Sequence, residues 1–268
     1  EEIPVFLALQ AKYQDHEKIT ISQVKLFKDG SLGGRTALLR EPYKDMETFG
    51  ADLIPYEELL HWFQAAENYQ VTLVLHAIGD RALEDIVHAY VEIMGDKAPH
   101  NPNRHSMIHA QIHDRHLLHK LHASGLGILT QPMFAVSDWD MAESRLGERL
   151  ENSYLFKTAW KMGIHEGFSS DSPVESNNPY HTIAAAMSHP LAEESFQFNE
   201  ALKLHSETNQ WFFYRENISG KIALGQDANL NVLDLRNMDA LDNPRLVKDL
   251  QPILSFNRGK ILEDKQVI

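Results

Sequence analysis

The sequence contains no cysteine, although it has 15 histidines among its 268 residues. Disulfide bonds, thiolate metal ligands and a cysteine nucleophile are therefore excluded. Any transition-metal site in this chain must be built from imidazole and carboxylate groups. The lack of cysteine also suits a cytoplasmic protein, which is the location that we expect.

Basic residues are few relative to acidic residues, and long apolar runs are missing. Lys and Arg together number 25, whereas Asp and Glu number 38, so the formal net charge is −13. Binding to a nucleic-acid backbone needs a basic face, so we expect no nucleic-acid partner. No apolar run approaches the roughly 20 residues that span a bilayer, so we expect no transmembrane helix and no membrane partner. The 43% hydrophobic fraction predicts an ordinary globular fold.

Short apolar segments alternate with helical patterns through most of the chain. Strands separated by helices of this length indicate βαβ units around a parallel sheet. No glycine fingerprint for a dinucleotide or a P-loop follows these segments, so those folds are disfavoured. The five predicted strands are residues 19–27, 71–77, 106–110, 127–131 and 164–169.

Helices are predicted between these strands from the 3.6-residue period. The clearest is 81–94, where apolar residues recur along one face. Asp114 is expected to cap a helix that Gly125 ends. Further helices are predicted from Pro55, placed at the first helical position, and over residues 154–162, 180–187 and 199–215.

The C-terminal part has a different pattern. From about residue 219, short strands and turns replace the alternation of helix and strand. They include a hairpin about Asn257-Arg258-Gly259. We therefore divide the chain into an αβ domain over residues 1–218 and a small β appendage over residues 219–268.

Polar residues lie where the apolar strands end. His76, His109 and Gln131 end the second, third and fourth strands, and Asp171 follows the fifth. Functional groups gather at the carboxyl ends of parallel strands. Two imidazoles and one carboxylate that meet there would suit Zn²⁺ or a similar ion with an open position for water, which is the ligand set of a hydrolase.

Each of these residues also has a structural interpretation. A strand-end histidine such as His76 can be a hydrogen-bonded structural residue, and Lys25 can be an edge lysine that reaches water. Asp171 can cap the turn that follows it. Trp139 is predicted in an exposed loop that could line a pocket. Four histidines near residue 114 have a spacing that resembles a row of metal ligands on a helix. Their charged neighbours favour a solvent-exposed helix face instead. The four are His113, His116, His119 and His122.

Local motifs resemble those of the amidohydrolase superfamily, in its YtcJ-like branch (amidohydrolase family 3). VKLFKDGSLGGRTA (24–37) is similar to the strand-4 motif of the family, and LHAIGDRA (75–82) is similar to that of strand 5. The order and spacing of the motifs match over nearly the whole chain. The remaining motifs are 105–111, 129–132 and 169–174 for strands 6, 7 and 8, and 220–234 for the tail that returns to a β-sandwich.

The resemblance implies a (β/α)8 TIM barrel of the metal-dependent hydrolase type, acting on amide or other non-peptide C–N bonds. It implies that His76, His109 and Asp171 are metal ligands, and that Lys25 is a further ligand that can be carboxylated to bridge two ions. The cofactor would be one or two divalent ions, Zn²⁺ first among them. Asp171 would pass a proton from a metal-activated water to the leaving nitrogen. The residues expected to contact a small-molecule substrate are Arg35, Gln131 and Trp139.

Two features depart from the family pattern. Ile108 stands where strand 6 of the family usually has Glu, and the His-x-His motif of strand 1 is absent from this sequence. A complete barrel needs about 250 residues, whereas the motifs here match strands 4 to 8 alone. We therefore expect an incomplete barrel, with 1–218 as its C-terminal part and 219–268 as the C-terminal part of the β-sandwich.

Two alternatives to this hydrolase stay open. A truncated or non-catalytic barrel could act as a binding or regulatory module, because the strand-1 histidines are missing. A sugar or phosphate enzyme on the same barrel would need a glycine loop for phosphate after strand 7 or 8, and residues 169–173 are not one. The pattern leaves open the substrate, the metal and the oligomeric state, a homo-oligomer included.

Overall fold

The computed structural model of the chain describes residues 2–16, 19–235 and 238–264. These residues form two compact units. The first unit contains the described residues up to Thr130 together with Asp140–His165, and the second contains Gln131–Trp139 and the described residues from Glu166 onward. In the described ranges, no helix combines the length and the apolar character needed to cross a bilayer.

Parallel strands form the sheet of the first unit. They pair in chain order, β1 with β2, β2 with β3 and β3 with β4. The register aligns Phe27 with His76 and Ala77 with His109. Strand β2 is buried along nearly its whole length, as expected for a parallel strand covered on both faces. The strands are β1 Gln23–Phe27, β2 Thr72–Ala77, β3 Ser106–His109 and β4 Gly127–Thr130.

The second unit contains strand β5 and an antiparallel sheet. All five predicted apolar strands therefore exist, although β1 begins at Gln23 rather than at residue 19. In the antiparallel sheet β6 pairs with β7 and β7 with β8. The turn between β7 and β8 is Arg258-Gly259, both with positive φ, which confirms the predicted hairpin. These strands are β5 Glu166–Phe168, β6 Leu230–Leu233, β7 Pro252–Asn257 and β8 Lys260–Asp264.

Helices lie between most consecutive strands in the described part of the chain. The predicted boundary between residues 218 and 219 stays a prediction. The two compact units are defined by internal contacts, and neither begins or ends at that position. The helices are α1 Glu2–Tyr13, α2 Tyr56–Tyr69, α3 Asp80–Met94, α4 Arg115–Ser124, α5 Pro132–Ser137, α6 Trp139–Leu146, α7 Phe156–Lys161, α8 Pro179–Met187, α9 Phe198–His205, α10 Asn209–Phe212 and α11 Pro244–Lys248.

Helices α3 and α4 follow the prediction closely. Helix α3 buries most of the apolar stripe that its period predicted, although Val91 is exposed. At the start of α4, Asp114 Oδ1 accepts a hydrogen bond of 2.7 Å from the Leu117 N–H. Gly125 ends the helix with φ of 72°, a conformation that glycine adopts without steric cost.

Aromatic side chains form the core between α2, α3 and the sheet. The ring of Phe63 lies 5.4 Å from that of Tyr90 and 5.4 Å from that of His105. His105 is fully buried, so both of its ring nitrogens need partners. Nδ1 accepts from the Leu73 N–H at 3.0 Å, and Nε2 lies 3.0 Å from Glu67 Oε1.

Two helix boundaries differ from the prediction, and in the first case side chains compete for backbone hydrogen bonds. The helix predicted over 199–215 is divided into α9 and α10. Ser206 Oγ donates to the Leu202 carbonyl at 2.7 Å, and Thr208 Oγ1 donates to the Leu204 carbonyl at 3.1 Å. Helix α2 begins one residue after Pro55, which is therefore the N-cap.

One prediction about an exposed segment is wrong, and a second holds for three of its four histidines. Trp139 lies at the start of α6 and is half-buried, so it is not in an exposed loop. His113 precedes α4 and is buried, whereas the other three histidines of the stripe are exposed on that helix. The stripe is divided because position 113 lies before the N-cap Asp114 and does not follow the helical period.

His113 is held as a neutral ring in the core of the first unit. The Leu155 N–H donates to Nε2 at 3.1 Å, and Nδ1 lies 2.9 Å from the Ala110 carbonyl oxygen. Nδ1 therefore carries the hydrogen. Burial lowers the pKa of His113 to about 4 because the charged form loses its hydration.

Candidate metal site

Two histidines predicted as metal ligands meet at the carboxyl ends of neighbouring parallel strands. His76 lies one residue before the end of β2, and His109 ends β3. The centroids of their imidazole rings are 4.4 Å apart, and the ring planes are inclined at 69°. The first unit therefore brings together the two imidazoles that the sequence pattern singled out.

The backbone at His109 is strained. His109 has φ of 82° and the following Ala110 has φ of 47°, both in the region that disfavours a Cβ. The strained turn is fixed against the end of β2, because the Ala110 N–H donates to the Ala77 carbonyl and the Ile112 N–H donates to the Ile78 carbonyl, each at 2.9 Å. Such strain costs of order 1–3 kcal/mol per residue and concentrates at functional sites.

A backbone carbonyl sets the orientation of the His76 ring. Nε2 lies 3.0 Å from the Gly30 carbonyl oxygen and 3.5 Å from Asp29 Oδ1. Because a carbonyl oxygen only accepts, Nε2 carries a hydrogen. The ring of Phe27 packs against the imidazole with a centroid distance of 5.2 Å. Metal-binding histidines are commonly fixed through their other nitrogen in this manner.

Asp29 is a buried carboxyl that joins the end of β1 to the turn after β2. It accepts hydrogen bonds from the N–H groups of Leu38 at 2.9 Å, Ile78 at 3.0 Å and Gly79 at 2.8 Å. Burial raises the pKa of Asp29 to about 7, against the lowering effect of these N–H groups and of Lys28. No local pattern in the sequence gives a sign of these partners of Asp29.

Lys28 is a second buried charge that the sequence analysis missed. Its side chain is 0% exposed. Its Nζ lies 2.6 Å from Asp52 Oδ1 and 3.1 Å from Asp85 Oδ2, and it donates to the Ile54 carbonyl at 2.7 Å. The Lys28 backbone N–H also donates to the His76 carbonyl at 3.0 Å. Lys28 thus fastens the loop after β1 to α3 beside the two histidines.

Lys25 shares a sheet face with His76. Side chains alternate along a strand, so Lys25 and Phe27 point to one face of β1, and Phe27 is aligned with His76 on β2. Lys25 is exposed, and its ammonium lies 4.8 Å from the centroid of the Phe27 ring. Its predicted role as a carboxylated ligand stays a prediction.

Arg35 is engaged with a carboxylate in the loop after β1. Its guanidinium donates twice to Asp45, from Nε at 3.2 Å and from Nη2 at 2.8 Å. Arg145 also donates to Asp45. The hydrogen bond from Arg35 holds the pKa of Asp45 below its usual range. The predicted contact between Arg35 and substrate stays a prediction.

The other three predicted site residues lie in the second unit. Gln131 is buried, and its Nε2 donates to Ser169 Oγ at 2.7 Å. The ring of Trp139 lies 6.0 Å from that of His189 in an edge-to-face arrangement. Asp171 is half-buried with φ of 54°, and its carbonyl accepts from the Val174 N–H at 2.9 Å. Their roles in metal and substrate binding stay predictions.

The described residues form no complete group of metal ligands. Across 2–16, 19–235 and 238–264, no group of three or more His, Asp or Glu side chains is placed to hold a metal ion. The His76–His109 pair offers two imidazoles, which suit Zn²⁺ and other divalent transition metals. A complete catalytic site needs about three protein ligands and an open position.

Comparison with known proteins gives consistent relatives. A family model described as "Amidohydrolase family" matches residues 1–262. YtcJ of Bacillus subtilis (strain 168), whose name assigns it to the amidohydrolases, is 34% identical over 228 residues, which are 80% of this chain and 42% of that protein. LONG AFTER FAR-RED 3 of Arabidopsis thaliana is 25% identical over 234 residues, which are 83% of this chain and 40% of that protein. The chain therefore spans about two fifths of the length of these relatives.

Solved structures give the fold class. The crystal structure of an uncharacterized metal-dependent hydrolase from Pyrococcus furiosus matches with a TM-score of 0.73 and 31% identity, over 82% of this chain and 47% of that chain. A Xaa-Pro dipeptidase at 14% identity shares the fold, with a TM-score of 0.62. The chain has an α/β fold of the (β/α)8-barrel hydrolase type, and among the residues that the structure describes the barrel is incomplete, as predicted.

Proposed function

Because the chain belongs to the amidohydrolase family, whose model matches residues 1–262, we propose that it is part of a metal-dependent hydrolase. The reaction is hydrolysis of an amide or related non-peptide C–N bond in a small molecule. The observation that carries the proposal is the pair of imidazoles, His76 and His109, at the carboxyl ends of neighbouring strands.

Each residue of the site has a proposed role. His76 and His109 hold a divalent ion, with Lys25 and Asp171 as further ligands. When bound, such an ion lowers the pKa of a coordinated water and polarises the substrate carbonyl. The Gly30 carbonyl fixes the tautomer of His76 through Nε2. Asp171 accepts a proton from the attacking water and returns it to the leaving nitrogen.

The proposed ligands also determine which metal ion is expected. Zn²⁺ suits imidazole and carboxylate ligands, and carboxylation would convert the Lys25 ammonium into an anionic group able to bridge two ions. Arg35, Gln131 and Trp139 are proposed to contact the substrate. A cytoplasmic location and a homo-oligomeric state are proposed with the hydrolase.

Metal content tests the proposal directly. The chain is loaded with Zn²⁺, dialysed and analysed for bound metal, beside a His76→Ala, His109→Ala double variant. We expect bound Zn²⁺ in the parent and its loss in the double variant. A matched control, His116→Ala with His119→Ala, removes two histidines that are exposed on α4, and it should keep the metal of the parent.

The role of Asp171 is tested separately. In Asp171→Asn, the other ligands should still bind Zn²⁺, but turnover should be lost in a screen of small amide substrates. The reason is that the asparagine side chain cannot carry the proton. Full activity of this variant would contradict the proposed proton transfer.

A non-catalytic binding module is the second candidate. It is favoured by the absence of a complete metal-ligand group among the described residues. A parent chain that retains no Zn²⁺ after loading would support this candidate over the hydrolase.

A further inference from the structure

A cavity of about 330 Å³ lies in the second unit beside helices α8 and α11. Basic side chains and hydroxyl groups are prominent in its lining. Three of the lining residues are basic, namely His181, Arg245 and Lys248, and three carry hydroxyl groups, namely Ser137, Ser176 and Ser188. The residues of this cavity have no role in the proposed hydrolase reaction.

Helical geometry explains why these residues line one cavity. His181, Ala184, Ala185 and Ser188 are spaced three, four and seven residues apart, so they lie along one side of α8 and its C-cap. The two alanines are small and leave space above the helix. Helix α11 packs against α8.

On α11, two cations face the same way. Arg245 and Lys248 are three residues apart, which places them on one face. The helix is anchored by Val247, which is 0% exposed, and by Asn243, whose side chain accepts from the Arg245 N–H at 3.0 Å. The direction in which the two cations point is therefore set by a capped and packed turn.

These basic groups form no ion pair among the described residues. None of His181, Arg245 and Lys248 makes an ion pair within 4.0 Å of a described Asp or Glu. Glu175 is the acidic residue of the lining, and its Oε1 accepts from Ser137 Oγ at 2.7 Å. In a chain with a net charge of −13, basic side chains that gather without a carboxylate partner favour an external anion.

We propose that this cavity binds a small oxyanion, the carboxylate or phosphate group of a small molecule. Arg245 and Lys248 supply charge-assisted hydrogen bonds, and His181 and Ser188 supply further N–H and O–H donors. A water molecule occupies about 30 Å³ of liquid volume, so the cavity admits a ligand of roughly ten non-hydrogen atoms. The oxyanion is held between two helices of one unit, so its binding needs neither His76 nor His109.

Isothermal titration of the full chain tests the site. Inorganic phosphate is one probe and acetate is the other, each at an ionic strength matched with sodium chloride. We expect saturable binding of at least one probe, and the preferred probe identifies phosphate or carboxylate as the ligand chemistry. In the Arg245→Gln, Lys248→Gln double variant, the Kd should rise about tenfold or more, because two charge-assisted bonds are lost.

Matched variants distinguish binding at this cavity from a general effect of the protein's charge. Lys203→Gln removes a cation from an exposed position on α9 and should leave the Kd unchanged. Lys248→Arg keeps the charge and should keep binding. If the double variant does not fold, the single variants Arg245→Gln and Lys248→Gln replace it. Absence of saturable binding for both probes, or equal weakening by Lys203→Gln, would overturn the proposal.

Discussion

At the scale of single residues, the protonation of a histidine is decided by what its two ring nitrogens meet. His113 accepts a backbone hydrogen bond at Nε2 and is 4% exposed, so a proton on Nε2 would displace that bond inside the core. Its pKa is lowered to about 4 by burial. The folded chain therefore binds fewer protons than the unfolded chain between pH 4 and about 6.5, and stability falls as the pH falls through that window.

We expect His113 to make the free energy of unfolding of the first unit about 2 kcal/mol lower at pH 5 than at pH 7.5. His113→Gln retains a donor and an acceptor but does not titrate in this range, so it should lose that contribution. Urea unfolding followed by circular dichroism at the two pH values measures the difference.

The control for this prediction is on α4. His119 is exposed, so His119→Gln should keep the pH dependence of the parent. If His113→Gln and the parent lose the same stability between pH 7.5 and pH 5, His113 is not the titrating group.

At the scale of elements, the turn between β2 and α3 is closed to any side chain. A Cβ added at Gly79 would lie 1.9 Å from the Leu38 carbonyl oxygen, which is backbone and cannot rotate away. The Gly79 N–H also donates to Asp29 at 2.8 Å. Glycine at this position therefore allows β2, α3 and the loop after β1 to approach one carboxyl group.

We expect Gly79→Ala to lower the free energy of unfolding by about 2–3 kcal/mol, as overpacking of a closed site does. Gly33→Ala is the matched control, because its Cβ would meet only Met141 Cε at 3.8 Å, an ordinary contact. Its effect should stay below about 0.5 kcal/mol. Equal losses in the two variants, measured by urea unfolding, would show that the turn is not tightly closed.

Elements with local signals could be predicted from the sequence. The period of α3, the cap at Asp114 and the turn residues of the Arg258-Gly259 hairpin each lie within the element that they specify. Helix α6 was missed because Trp139 stands at its start among charged neighbours, a pattern that also fits a loop.

At the scale of the whole molecule, the parts of the site that could not be predicted depend on distant partners. The partners of Asp29 lie 9, 49 and 50 residues along the chain, and the Asp52 partner of Lys28 lies 24 residues along. Nothing in a local pattern records such a pairing. The proximity of His76 and His109 could be predicted, because the end of a parallel strand is itself a local signal and the ends of neighbouring strands meet.

The net charge of the whole chain also affects the interaction between copies of the protein in solution. The sequence pI is about 5.6, so repulsion between copies is weakest near that pH. We expect the second virial coefficient from static light scattering to reach its minimum there. His113→Gln should leave the minimum in place, because His113 is buried, and a minimum shifted by more than one pH unit would contradict this expectation.

Because Lys28 is enclosed, the chemical reactivity of its amine can be used to measure local opening of the structure. Lys25 and Lys28 are three residues apart, yet one is exposed and the other is 0% exposed between Asp52 and Asp85. An amine-acylating reagent should modify Lys25 at once and reach Lys28 only while the loop after β1 is open. Because both lysines fall within one short segment, the ratio of single to double acylation in that segment measures how often the neighbourhood of the candidate metal site opens.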